Sequence, residues 1–369
     1  MIKSVPEDFV VDEIPAYAPS GEGEHVYVRF TKRGLTTEVA VRAIASAIGA
    51  SSRDAGIAGM KDKDAVTTQT VSFLTPRGQS PDALAASARD VRVDGVVVHE
   101  ATRHVNKLKP GHLIGNRFEL RVRTIARVDL PRVVADLERV GREGLPNAYG
   151  TQRFGRAGDN AERARAWLTG KAQAPRDARM RRLLWSSLQS AIFNSVLDRR
   201  VADGTWATAL EGDLLKRRTS GGLFLCADVQ EDRARALEGE VSPTGPMIGV
   251  KMRSPEGAPA ELEREVFLEH LGENFDLAAT KKLGEGTRRV LRLWVEEMRV
   301  ETELSEITRE DVASLRVYFV LPKGAYATTV LGAALACTSV REATQPYSAA
   351  SAPSDVAVDD RPDDANGED

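Results

Sequence analysis

A chain of 369 residues with 42% hydrophobic content is long enough for two cores, and a net charge of −3 does not by itself suggest a polyanionic partner. Two cysteines, Cys226 and Cys337, lie far apart in apolar surroundings, which excludes a disulfide framework and a zinc site and points to buried thiols in a reducing, cytoplasmic setting. No apolar run approaches the roughly 20 residues of a membrane span, Met1 to Pro6 lacks the shape of a signal peptide, and the five histidines have no paired metal-ligand spacing.

The charge is unevenly placed. Residues 346–369 hold seven acids against Arg361, so this segment carries −6 and the remainder +3. Its Ala, Ser, Pro and Asp content cannot build a core, and we expect a disordered tail on a mildly basic body.

In chain order, Lys3 to Ile14 reads as a strand entry with Phe9, Val10 and Val11 between acids, followed by a turn through Pro15, Pro19 and Gly21. Gly21, Gly23 and Val26 fail as a dinucleotide fingerprint, because Val26 stands where the third glycine belongs and a strand follows. His25 to Phe30 alternates and puts Val26, Val28 and Phe30 on one face. Thr36 or Thr37 caps a helix that runs to Ile48 and closes on Gly49, with Ala40, Ile44 and Ile48 inward. Then comes the stretch from Ala58 to Gln69, where Gly56 and Gly59 are expected to allow a tight turn and Asp62 stands between Lys61 and Lys63. Opposite charge on both sides favours the ionised carboxylate, hence a nucleophile or base. Alternating Lys and Asp is otherwise an ordinary solvated loop. An EF-hand reading fails because Val66 and Thr67 replace a ligand and the obligatory glycine.

Thr70 to Leu74 reads as a strand, Pro81 to Ala88 as a short helix, and 91–99 as β-like. Arg117 to Arg123 alternates charged and apolar at every step, and residues 101–124 hold six basic side chains against Glu119. Arg103, Lys107, Lys109, Arg121 and Arg123 are therefore candidate phosphate contacts on one sheet face and its entry loop. Asp129 is positioned to cap a helix from Leu130 to Glu143, and Pro146 to Gly158 reads as a ligand-approaching loop. Ala161 to Leu168 is helical; an arginine cluster, Arg176, Arg179, Arg181 and Arg182, precedes an amphipathic helix with Leu184, Leu188, Ile192 and Val196 inward. Glycines break the next stretch into short strands, Pro259 to Leu271 returns to helix, Val317 to Leu321 reads as a buried central strand, and Thr329 to Cys337 as a final short helix.

Gly59 to Gln69 closely resembles the catalytic motif of the TruD family of tRNA pseudouridine synthases, whose nucleophilic Asp corresponds to Asp62. Further matches follow in the family's order: Pro6 to Glu13 with Gly21 to His25, Arg103-His104 with Lys107 to Lys109 and Gly111 to Phe118, Pro146 to Gly155, and Leu321 to Thr329. The resemblance spans about Lys3 to Ala336. It implies an α+β fold in which a pseudouridine-synthase-like catalytic domain, with a mixed, mainly antiparallel sheet flanked by helices, occupies 1–172 and 304–345. An inserted α/β domain would occupy 173–303.

By position, the resemblance further implies that Lys3 pairs with the catalytic Asp62, that Phe9 and Tyr326 line a uridine pocket, and that Asn147 contacts the substrate. The family has two aromatics after this Asn; here they are Ala148 and Tyr149, and the Tyr149 hydroxyl would sit beside the base. Tyr326 stands where Phe is also found, and Gln152 and Arg153 are left without a role. The implied activity is isomerisation of a uridine, uridine 13 in the D arm of tRNA, by a cytoplasmic monomer with no cofactor and no metal. Two other classes are weighed against it. A non-catalytic RNA-binding or RNA-chaperone protein on the same scaffold would not need Asp62, Asn147 and two pocket aromatics together. A hydrolase would want a second catalytic acid, for which Asp64 is the candidate.

Overall fold

The computed structural model describes residues 3–303 and 312–335; the acidic segment 346–369 and Cys337 lie outside them. The chain first lays down β1 (Phe9–Pro15), β2 (His25–Arg33), α1 (Thr37–Ile48), β3 (Gly56–Ile57), β4 (Val66–Leu74), α2 (Pro81–Arg89), β5 (Val96–His104), β6 (Leu113–Ala126) and α3 (Leu130–Glu143). It crosses through β7 (Leu145–Pro146) and α4 (Asn160–Leu168) into the long α5 (Ala178–Ala202), β8 (Leu214–Arg217), β9 (Leu223–Leu225), α6 (Val229–Glu238), β10 (Val241–Met247), α7 (Gly257–Leu271), β11 (Thr287–Val290) and β12 (Arg292–Leu293). It returns as β13 (Glu296–Glu303), β14 (Val312–Pro322) and α8 (Ala327–Leu335).

The main sheet runs β13-β14-β6-β1-β4-β2-β5, with β3 beside β4, and only the β1–β4 pair is parallel. Its α+β class follows from the alternation in its strands. Phe118, Leu120 and Val122 of β6 are buried while Arg117, Glu119 and Arg121 face away. Val26, Val28 and Phe30 of β2 are likewise fully buried, against the inner stripe of α1 and the small residues of α2. A second core packs β1, β6 and β14 against α3 and α8. Each large apolar side chain so covered contributes about 1.5–3 kcal/mol.

Local signals account for most element ends. The Thr36 hydroxyl accepts the Val39 N–H at the start of α1, and Gly49 ends it in the left-handed conformation. Asp129 does not cap α3; its carboxylate takes Arg132 instead. The strand expected over 91–99 is displaced to 96–104, because the backbone turns at Gly95, where φ is +69°, and Val93 bridges Val96. β4 begins at Val66 rather than Thr70, directly after the Asp62 loop.

Within the stretch expected as an insertion, 173–303, the chain forms a four-stranded antiparallel sheet, β11-β10-β8-β9, and α5 and α7 pack together. The expected end of that stretch at 303 differs from the pairing. β13 runs along β14 from Glu296 to Glu303 as the outermost strand of the main sheet, so the chain has rejoined that sheet by Glu296.

One feature of the main sheet places the site. β1 and β4 pair only from Val10–Val66 to Asp12–Thr68, and beyond that β3 takes over the edge of β4 at Ser72 and Val71. The loop 58–65 emerges at this split, with Asp62 on it.

Candidate active site

Asp62 presents its carboxylate to solvent, 60% exposed, and Lys3 reaches it: Lys3 Nζ lies 2.7 Å from Asp62 Oδ2. Two segments far apart in sequence meet because parallel pairing sets the start of β1 beside the start of β4. Lys3 itself sits at φ +63°, a region a lysine rarely adopts. The turn that follows it is anchored by Asp8, whose buried carboxylate accepts the N–H groups of Ser4 and Val5 at 3.0 and 3.2 Å. Arg123 donates to the same carboxylate from Nε and Nη2. Burial works against the charge on Asp8, but Arg123, Val5 and Ser4 outweigh it and hold the carboxyl below its usual range. The Lys3 ammonium also lies 4.0 Å over the Phe9 ring.

The loop is fastened from beneath. The Lys61 ammonium turns to Glu13 at 2.6 Å, in a pair whose side chains are only 7% and 1% exposed. Lys3, then, is the cation in contact with the Asp62 carboxylate. Glu13 also accepts the Thr70 N–H at 3.3 Å, filling the gap where β1 and β4 part. The Lys61 N–H donates to Thr37 Oγ1, whose hydroxyl donates to buried Gln69. Lys32, fully buried, donates to the carbonyls of Leu35 at 2.7 Å and Asp62 at 2.6 Å. Burial pulls its pKa down to about 8, against the attraction of Asp62.

The glycines act differently from the expectation. Neither Gly56 nor Gly59 has positive φ. Gly56 is required because a Cβ there would come within 2.2 Å of the Leu108 carbonyl, whereas Gly59 has room.

Asp62 and Lys3 open onto a cleft of roughly 590 Å³, lined among others by Phe9, Asn116, Lys323 and Tyr326. That volume suits a small organic ligand such as a nucleoside. Tyr326 offers a half-exposed ring, while Phe9 is nearly buried, edge-on to Phe118. Asn116 Oδ1 is buried in the cleft wall with no hydrogen-bond partner among the described residues. Lys323 crosses from the Tyr326 side and donates to the Gly111 carbonyl at 3.1 Å.

Asn147 and Tyr149 do not line this cleft. Asn147 is buried and its amide is spent internally: Oδ1 accepts from Arg289 at 2.6 Å and Nδ2 donates to the Val290 carbonyl at 2.8 Å. Tyr149 packs edge-on to Phe193 beneath the Arg289 guanidinium, its hydroxyl directed to Met247 sulfur. The loop they share is fixed by a polar stripe on α5. Asn194 exchanges hydrogen bonds with the Tyr149 main chain, Arg153 donates to Ser190, and Ser187 donates to the Arg153 carbonyl. These helix positions recur at helical spacing beside the apolar stripe.

The expected basic face is largely neutralised within the sheet. Arg316 of β14 pairs with Glu119 on the adjacent β6, Arg121 and Arg117 of β6 reach across β14 to Glu303 (2.6 Å) and Glu297 of β13, and Arg123 meets Asp8 in the turn before β1. Arg103 is held by Asp82 and the Gly23 carbonyl. Lys107 and Lys109 are exposed, as are Arg176, Arg179 and Arg182.

Glu13, Lys32 and Asp8 are the supporting residues that sequence reasoning missed. Two carried a signal: Lys32 continues the inward register of Val26, Val28 and Phe30, and Glu13 that of Phe9 and Val11, so each is a charge written into an apolar face. Among the described residues no group of three His, Cys, Asp or Glu is placed to hold a metal, and no helix is long and apolar enough to cross a membrane. Cys226 is buried, and burial with nearby Asp232 raises its pKa to about 12.

The family model described as tRNA pseudouridine synthase D (TruD) matches residues 1–177 and 170–333. A relative named tRNA pseudouridine synthase D in Anaeromyxobacter sp. (strain Fw109-5) is 46% identical, covering 89% of this chain and 90% of its own. One of the same name in Thermus thermophilus is 37% identical, covering 89% and 87%. A crystal structure assigned to tRNA pseudouridine synthase D in Methanosarcina mazei superposes with a TM-score of 0.72 over 91% of this chain and 93% of that one, at 22% identity, and so shares the fold.

Proposed function

This chain belongs to the tRNA pseudouridine synthase D family, isomerases that act on uridine in tRNA, and from that premise we propose that it converts uridine 13 of the D arm to pseudouridine with Asp62 as nucleophile. The observation that carries the assignment is the solvent-facing Asp62 carboxylate held at 2.7 Å by Lys3 at the mouth of a nucleoside-sized cleft.

The reaction breaks the bond from N1 to C1′, turns the ring and rejoins it through C5; the C5 proton leaves and N1 gains one, so nothing is oxidised or consumed. An extruded base supplies its own leaving and entering atoms, and the protein must provide an ionised carboxylate, a pocket and a restraint on the detached ring. Asp62 is exposed and can reach C1′ or C6, or take the C2′ proton. Lys3 keeps it charged and aimed. Tyr326 offers a face on which uracil stacks, Phe9 lines the same cleft, and Asn116 has an acceptor without a partner among the described residues for an N–H of the ring. Asn147 and Tyr149 act through the junction with the insertion, and exposed Lys107 and Lys109 meet backbone phosphates. We read the enzyme as a cytoplasmic monomer working without cofactor or metal.

Release of tritium from uridine C5 of labelled tRNA tests the roles. Asp62→Asn should bind tRNA and release none, and Lys3→Ala should lose turnover more than affinity. Undiminished release by Asp62→Asn refutes the nucleophile.

A further inference from the structure

Among the described residues three arginines are buried: Arg200 pairs with Asp213 and Arg288 with Glu263, while Arg292 donates to the carbonyls of Glu143 and Ala236. Two half-buried arginines, Arg153 and Arg289, also have no carboxylate partner among the described residues. Arg153 lies 5.3 Å and Arg289 4.1 Å from the centre of the Tyr149 ring, and neither has an ion-pair partner among the described residues. Arg289 spends Nε and Nη2 on Asn147 and is also hydrogen-bonded to Tyr149; Arg153 spends only Nε, on Ser190.

We propose that Arg153 and Arg289, gathered on Tyr149, bind one backbone phosphodiester of the RNA beside the nucleotide that enters the Asp62 cleft. The inference rests on the RNA substrate of the preceding section and adds a site to it. Two like charges held close together in a partly desolvated place repel each other, and an anion bound between them relieves that repulsion. Burial, reinforced by Arg153, pulls Arg289 below the usual guanidinium range against Tyr149 and Tyr326, so the cation is under-compensated as it stands. The unspent guanidinium N–H groups are the donors a phosphate accepts, and guanidinium forks match its geometry. Tyr326, whose ring lines the cleft, is among the groups that act electrostatically on Arg289, which puts that guanidinium in the neighbourhood of the base pocket. The loop also has the rigidity a binding site needs, since Asn194, Ser190 and Ser187 of α5 fix its backbone and Arg153.

The test is tRNA binding as a function of salt for the wild type, Arg153→Gln, Arg153→Lys, Arg289→Gln and the double glutamine variant. One phosphate contact accounts for about 0.7–0.9 of the slope of log K on log salt concentration. Each glutamine variant should lower the slope by up to that amount, the double variant by no more than that amount in total, and Arg153→Lys by little. Arg153→Gln leaves the contacts of Asn147 untouched, so it reads the site even if Arg289→Gln loosens the fold. In a second arm, tRNA is assembled with one neutral methylphosphonate at each linkage flanking the target uridine in turn. At one linkage the affinity loss from Arg153→Gln should disappear.

Unchanged slopes in both glutamine variants, or additive losses at every linkage, overturn the site while leaving the RNA reading intact. A wild type with no salt-dependent tRNA binding overturns both. Inorganic phosphate that raises the melting temperature of the wild type but not of Arg153→Gln, with tRNA slopes unchanged, assigns the site to free phosphate and also overturns the proposal.

Discussion

Replacing Glu13 by alanine tests whether the buried pair beneath the Asp62 loop holds the split between β1 and β4. Glu13 and Lys61 meet at 2.6 Å with side chains 1% and 7% exposed, so water screens them little. Removing the carboxylate strands the Lys61 ammonium and takes the acceptor from the Thr70 N–H. Breaking a buried pair by deleting one partner costs about 3–5 kcal/mol. At about 2–4 °C per kcal/mol for a chain of this size, the melting temperature should fall by about 6–20 °C. The pair as a whole is worth far less than that, since its attraction is offset by desolvation of both ions. Glu13→Leu combined with Lys61→Met should therefore recover most of the loss. Thermal unfolding followed by circular dichroism reads both outcomes. A loss under about 1 kcal/mol in Glu13→Ala, or a double variant as unstable as the single one, refutes the assignment of a dry, mutually dependent pair.

Lys32 gives a pH signature. Its folded pKa of about 8 lies below the ordinary 10.5, so between those values the unfolded chain keeps a proton that the folded protein has released. The contribution of Lys32 to stability is at its most unfavourable below pH 8 and improves as pH rises to 10.5; the unfolding free energy of the wild type minus that of Lys32→Met should rise across that window, and a flat difference contradicts a desolvated ammonium. Arg123→Ala removes the partner of Asp8 and with it the support of the turn that carries Lys3. We expect turnover to fall at least tenfold while the salt dependence of tRNA binding stays unchanged; a slope lowered by about 0.7–0.9 with full turnover would make Arg123 a phosphate contact instead.

The fold was readable wherever one face of an element is buried. The alternation in β6, the unbroken apolar run Val317 to Leu321 in β14, the stripes on α1 and α5, and the caps at Thr36 and Gly49 are all local signals. The β13 boundary was not readable in this way. Its sequence, Glu296 to Glu303, is mostly charged, because an outer strand of the sheet has one neighbour and little to bury. In the site, Lys3, Phe9, Asp62 and Tyr326 were named together and line one cleft. Asn147 and Tyr149 stand apart from that cleft for a reason absent from their own neighbourhood: Arg289 and Asn194, which engage them, arrive from β11 and α5, distant in sequence. The charge count over 101–124 misled for a similar cause. Composition sees six cations there, while the sheet brings Asp8, Glu297 and Glu303 against three of them from other segments.

The central claim is that Asp62 makes pseudouridine at one place in tRNA, and a carbodiimide-based pseudouridine map of unmodified tRNA tests it most directly. The tRNA is incubated with the wild type and with Asp62→Asn in parallel. A single new signal at uridine 13 of the D arm, present with the wild type and absent with the variant, is the predicted result. A signal that persists with Asp62→Asn, or no signal on any tRNA despite tight binding, would contradict it.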